Sequence, residues 1–121
     1  MAIAEFKIEV QNNIFELSKN KLLAKSTKTW IEQSLVNKYS YNFTSFSVPI
    51  IQYPQDMVAL QELIWEVKPD LIIEAGIAHG GSLIQSASML AMIEYQEAVD
   101  SNTVLDPTKP VRKVLGLDID I

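Results

Sequence analysis

The sequence predicts an α/β fold built around an open parallel sheet, and three observations carry that prediction. Leu71-Ile72-Ile73 and Val114-Leu115-Gly116-Leu117 are apolar runs of strand length. Between them, residues from Ser82 to about Ala98 follow helical periodicity. The turn from first strand to helix holds three glycines, Gly76, Gly80 and Gly81. Strand, loop, helix and strand in one sheet form a right-handed unit with parallel strands.

Residues 1–40 read as a helical N-terminal extension. Ile14, Leu17 and Leu22 are spaced to share a face, and Ser26 or Thr27 is expected to start a second helix carrying Trp30, Ile31 and Leu35. Two uses suit such an extension: packing on the main domain, or serving as a substrate lid or dimer arm. Residues 41–121 form the main unit. Its first part, residues 41–55, is rich in aromatics, Ser and Thr. Pro49 and Pro54 argue against a regular central strand there. The expectation is an extended connector that either lines a pocket or seals the core.

A helix is expected over residues 56–67, with Asp56 as its N-cap. Its apolar stripe would be Leu60, Leu63, Ile64 and Val67, with Trp65 as a packing residue. Pro69 ends it, because the residue before proline avoids the α region. The strand at residues 71–73 follows, ending at Glu74. The helix from Ser82 has apolar residues around much of its circumference, so burial on more than one side is expected. Met89 and Met92 read as core fillers there. Asp106-Pro107 and Pro110 mark a loop, and the second strand ends at Asp118.

Composition removes several function classes. A net charge of −5 argues against nucleic-acid binding, which wants a concentrated basic face. The absence of cysteine excludes disulfides, thiol catalysis and thiolate metal sites. A single histidine, His79, excludes a multi-histidine metal site within one chain. No apolar run approaches the roughly 20 residues of a membrane span, and the N-terminus lacks a signal-peptide pattern. A cytoplasmic protein is the expectation.

The chemistry concentrates at the rim where both strands end. Glu74 and Asp118 sit at the carboxyl ends of their strands, where open α/β sheets bind ligands. An acid at the second strand tip can accept both hydroxyls of a ribose. The loop reads E-x-G-x-x-x-G-x-S over Glu74, Gly76, Gly80 and Ser82. That departs from the G-x-G-x-x-G dinucleotide fingerprint, and no P-loop motif is present. Each residue also has a plain structural reading. Glu74 can cap the loop, Gly81 can serve helix packing, and Ser82 can be the helix N-cap. His79 reads either as a general base or as a solvated residue at a ligand's edge.

IIEAGIAHGGSLIQSASML followed by KVLGLDIDI resembles the cephalosporin hydroxylase family, which has the S-adenosylmethionine-dependent methyltransferase fold. PIIQYPQDMVALQELIWEVKPD is similar to the connector and helix leading into that family's first strand. The resemblance implies a partial Rossmann-like methyltransferase fold: N-terminal helices plus the first β-α-β unit of the sheet. It implies S-adenosylmethionine as cofactor, bordered by Glu74 and Gly76. The loop of Ala78, His79, Gly80, Gly81 and Ser82 would hold the cofactor's amino-acid end, and Asp118 its ribose. The acceptor would be a hydroxyl of a sugar or another small molecule. A divalent metal such as magnesium goes with the full-length parent, and Asp120 is given no metal role here.

A full methyltransferase sheet has about seven strands, and two are credible here. The expectation is therefore an N-terminal piece of a longer enzyme, carrying the cofactor half-site, inactive alone, with its catalytic residues elsewhere. The alternative is a non-catalytic module acting through homo-oligomerisation or a partner.

Overall fold

The computed structural model describes residues 2–119, so Asp120 lies outside the described residues. The chain divides into two units, Met1–Lys38 and Tyr39–Ile121.

In the first unit, helices α1 (Ile3–Lys19) and α2 (Lys21–Val36) meet at a single residue. The Asn20 backbone N–H donates to the Leu17 carbonyl at 3.1 Å, closing α1. Its side-chain Oδ1 accepts from the Leu23 N–H at 2.9 Å, opening α2. Asparagine is a strong N-cap because its short side chain reaches a free N–H of the first turn. The expected start at Ser26 or Thr27 is thereby corrected, since both lie inside α2. Ile14, Leu17 and Leu22 do not share a helix face, because Asn20 separates the first two from the third. All three are exposed.

The second unit opens with a 3-10 turn at Tyr39–Tyr41, then β1 (Phe43–Ser45) and β2 (Val48–Ile50), paired antiparallel. Phe46 and Ser47 join them with φ of 46° and 67°. Two successive positive-φ residues make the tight turn whose twist suits a hairpin. The extended connector is thus a short two-stranded ribbon. Pro49 is tolerated because it faces Thr44 in the middle pair. In a hairpin closed by two residues, the N–H at that position points away from the partner strand.

Helix α3 (Pro54–Val67) starts two residues earlier than expected. Pro54 takes the first helical position, where the missing N–H is no loss. Tyr53, not Asp56, occupies the N-cap position, and Asp56 lies in the first turn, where a negative charge favours the helix dipole. Lys68 ends the helix in the left-handed region, its N–H on the Ile64 carbonyl at 2.8 Å. Of the expected stripe, Ile64 is buried and Leu60 partly so, whereas Leu63 and Val67 are exposed. Trp65 is also exposed, with Lys68 Nζ 5.5 Å from its ring centroid.

Strands β3 (Leu71–Ala75) and β4 (Lys113–Leu117) pair in parallel, with Ile72 opposite Val114 and Glu74 opposite Gly116. Helix α4 (Gly81–Ser101) connects them across one face of the sheet. The core is buried Ile64, Leu90 and Ile93, with Leu60, Ile72, Met89 and Val114 packed against them. Ile84, Met92, Tyr95 and Val99 are exposed. Helix α4 is therefore buried along one side, not two, and Met92 is no core filler. Strand alternation places Leu71, Ile73, Leu115 and Leu117 on the opposite face of the sheet, and all four are about half exposed.

Arg112 ties the amino end of β4 to α4. Its guanidinium holds the Glu97 carboxylate through Nη1 at 2.7 Å and Nη2 at 2.9 Å. Its backbone N–H donates to Glu94 Oε1 at 2.5 Å. The paired hydrogen bonds lower the Glu97 pKa from its ordinary value and raise that of Arg112. Among the described residues, no helix is long and apolar enough to cross a membrane.

Candidate functional site

Parallel pairing settles where the two acids lie. Glu74 is the fourth residue of β3 and Asp118 directly follows β4, so both reach the carboxyl rim of the sheet. The ladder continues one step past the strands, with the Gly76 N–H on the Leu117 carbonyl at 2.8 Å. Asp118 then grips the loop. Its Oδ2 accepts from the Ile77 N–H at 2.8 Å, and its Oδ1 from the Ile119 N–H at 2.7 Å.

The loop turns back through a Gly80 N–H to Ile77 carbonyl bond of 2.7 Å. Gly76 and Gly80 have φ of 80° and 86°, and Ala78 also lies in the left-handed region at 45°. A Cβ built on either glycine would meet nothing within 4 Å. Backbone conformation, not crowding, is what calls for glycine at these two positions, and the space above them is open. Gly81 is the opposite case. A Cβ there would strike the Pro49 carbonyl and stand 2.8 Å from Ile50 Cβ, because the hairpin packs directly on the helix start.

Gly80, not Ser82, is the N-cap of α4. Ser82 lies in the first turn, and its hydroxyl donates to Glu74 Oε1. The structure thus links directly two residues of the E-x-G-x-x-x-G-x-S loop.

Beside the loop is a cavity of about 530 Å³. Of the sequence-predicted residues, Glu74, Gly76, Ala78, His79, Gly81 and Ser82 line it, whereas Gly80 and Asp118 do not. Asp118 shares the rim but stands across the loop, bound to its backbone. The remaining wall comes from the end of the hairpin, Pro49 to Gln52, and from Leu60, Ile72, Ile73, Ile77 and Ser86. Ser86 lies one turn beyond Ser82 on α4, a spacing visible in the sequence. Glu74 is the one carboxylate among the lining residues, and no Lys or Arg is among them. Among the described residues, no group of three or more His, Asp or Glu stands close enough to hold a metal ion.

A parallel β-loop-α-β unit with strand-tip carboxylates on one rim defines an α/β protein of the open-sheet class, whose members bind ligands beyond the carboxyl ends of their strands. The sequence model of the rhamnosyl O-methyltransferase/CmcI family matches residues 37–121, and the chain belongs to that family. The resemblance to the cephalosporin hydroxylase family is borne out over this region, and the mixed helices and small parallel sheet are a partial methyltransferase-like fold. Membership of an O-methyltransferase family implies dependence on S-adenosylmethionine in general. Comparison with curated proteins and with solved structures gives no match.

Proposed function

We propose that this chain carries the cofactor-binding half-site of an S-adenosylmethionine-dependent O-methyltransferase acting on a hydroxyl of a sugar or other small molecule. The observation that carries the reading is the shared rim: Glu74, the open glycine loop and Asp118 at the carboxyl ends of two parallel strands, beside the cavity. The residues fit the cofactor. The open space over Gly76 and Gly80 admits close approach of a ligand to the backbone. Glu74 offers a carboxylate to a cationic group, and Asp118 stands at the tip of the second strand, where an acid can meet a ribose. Ala78, His79, Gly81 and Ser82 form the bordering loop and helix start. The bound cofactor supplies an activated methyl group, and this chain's part is to hold and orient it.

No metal role is given to the described residues. The apolar outer face of the sheet supports the further proposal that the half-site belongs to a larger methyltransferase domain, because parallel strands are normally covered on both faces.

Titration calorimetry with S-adenosylmethionine and S-adenosylhomocysteine tests the reading on the wild type and on Asp118→Ala, with thermal melts checking folding. Binding by the wild type, lost in a folded Asp118→Ala, is the expected result. Absence of heat with either ligand on the wild type overturns it and favours a non-catalytic module.

A further inference from the structure

We infer that Ser82 is a positioning residue that acts through Glu74 rather than a direct ligand of the cofactor. The inference rests on the methyl-donor reading of the site and deepens it. Glu74 is on the covered face of β3, in line with Ile72, and carries the one carboxylate lining the cavity. A glutamate has three rotatable side-chain bonds, so an untethered carboxylate spreads over many positions. Ser82 removes that freedom. It lies eight residues on, in the first turn of α4, and its hydroxyl proton is donated to Glu74 Oε1. A hydroxyl has a single proton to donate, so Ser82 has none left for a ligand.

The bond also spans the base of the glycine loop, linking the strand end to the helix start. Its acceptor is a carboxylate next to a helix N-terminus, where negative charge is favoured. Ser82 thus fixes at once the direction of the carboxylate and the mouth of the loop. A cationic group entering the cavity meets an acid already in place and does not have to order it.

The test is a double-substitution cycle in the full chain, comparing wild type, Ser82→Ala, Glu74→Ala and the double variant. Calorimetry uses S-adenosylhomocysteine as the probe. Ser82→Ala is expected to weaken binding about tenfold in the wild-type background and to change nothing in the Glu74→Ala background. Ser82→Thr, which keeps the hydroxyl, is expected to restore binding. An equal loss in both backgrounds overturns the inference, because Ser82 then touches the ligand itself.

Ligand-free thermal melts of the same four chains separate this inference from the reading beneath it. Coupled melting shifts with no binding by the wild type sink the methyl-donor reading alone. Additive melting shifts overturn the Ser82–Glu74 inference whatever the binding shows.

Discussion

The two faces of the β3–β4 sheet have similar apolar sequence and different surroundings. Ile72 and Val114 pack on the core of α3 and α4, around Ile64, Leu90 and Ile93. Leu71, Ile73, Leu115 and Leu117, one residue out of phase, stand about half exposed. A sheet meant to face water on one side alternates apolar with polar residues, and this one does not. The difference teaches that the core made by α4 accounts for only half of the sheet's apolar character. The outer face has the composition of a buried surface.

The largest expected effect sharpens that contrast. Ile93, fully buried, is expected to cost about 2–5 kcal/mol on substitution to Ala, read from urea unfolding. Ile73→Ser on the outer face is expected to stay within about 0.5 kcal/mol in the isolated chain. A large loss from Ile73→Ser would show that this face is covered in solution and would break the comparison.

Gly81→Ala comes next. The new Cβ meets the backbone carbonyl of Pro49 and the Cβ of Ile50, neither of which can swing aside as a side-chain tip would. About 1–3 kcal/mol of destabilisation is expected, together with displacement of the hairpin that walls the cavity. Near-UV circular dichroism follows the aromatic environment around Tyr39 and Phe43, whose ring centroids are 5.2 Å apart.

The smallest effect lies at the amino end of β4, away from the rim. Arg112 holds the Glu97 carboxyl below its ordinary value of 4.5. A carboxyl with a lowered folded pKa binds fewer protons in the folded chain than in the unfolded one. Its contribution is therefore full above about 4.5 and is lost as pH falls through the lower, folded value. Urea midpoints between neutral and acid pH are expected to fall less steeply for Glu97→Gln than for the wild type. The difference is modest, because the Glu97 side chain is partly solvated.

The β-α-β unit was legible because its signals are local. Two apolar runs have strand length, three glycines interrupt the chain, and α4 is long and periodic. The rim followed, since parallel strands bring Glu74 and Asp118 to one side. What escaped were features decided by single contacts. The Asn20 corner depends on one carboxamide competing with two plausible caps at Ser26 and Thr27. The hairpin turns on Phe46 and Ser47, residues without the usual Asn-Gly signature, held in positive φ by the strands they join. The bond from Ser82 to Glu74 spans strand and helix, and residue types alone offered an N-cap or a cofactor contact. The single-sided burial of α4 was hidden because an apolar residue reads alike whether or not something covers it.

Where a methyl-donor cofactor touches this chain is the decisive question. Amide chemical shifts of the nitrogen-15-labelled protein, followed during titration with S-adenosylmethionine, report that directly. Saturable changes concentrated in residues 74–82 and at Asp118 are the predicted result. No saturable change, or changes confined to Leu71, Leu115 and Leu117, would contradict it.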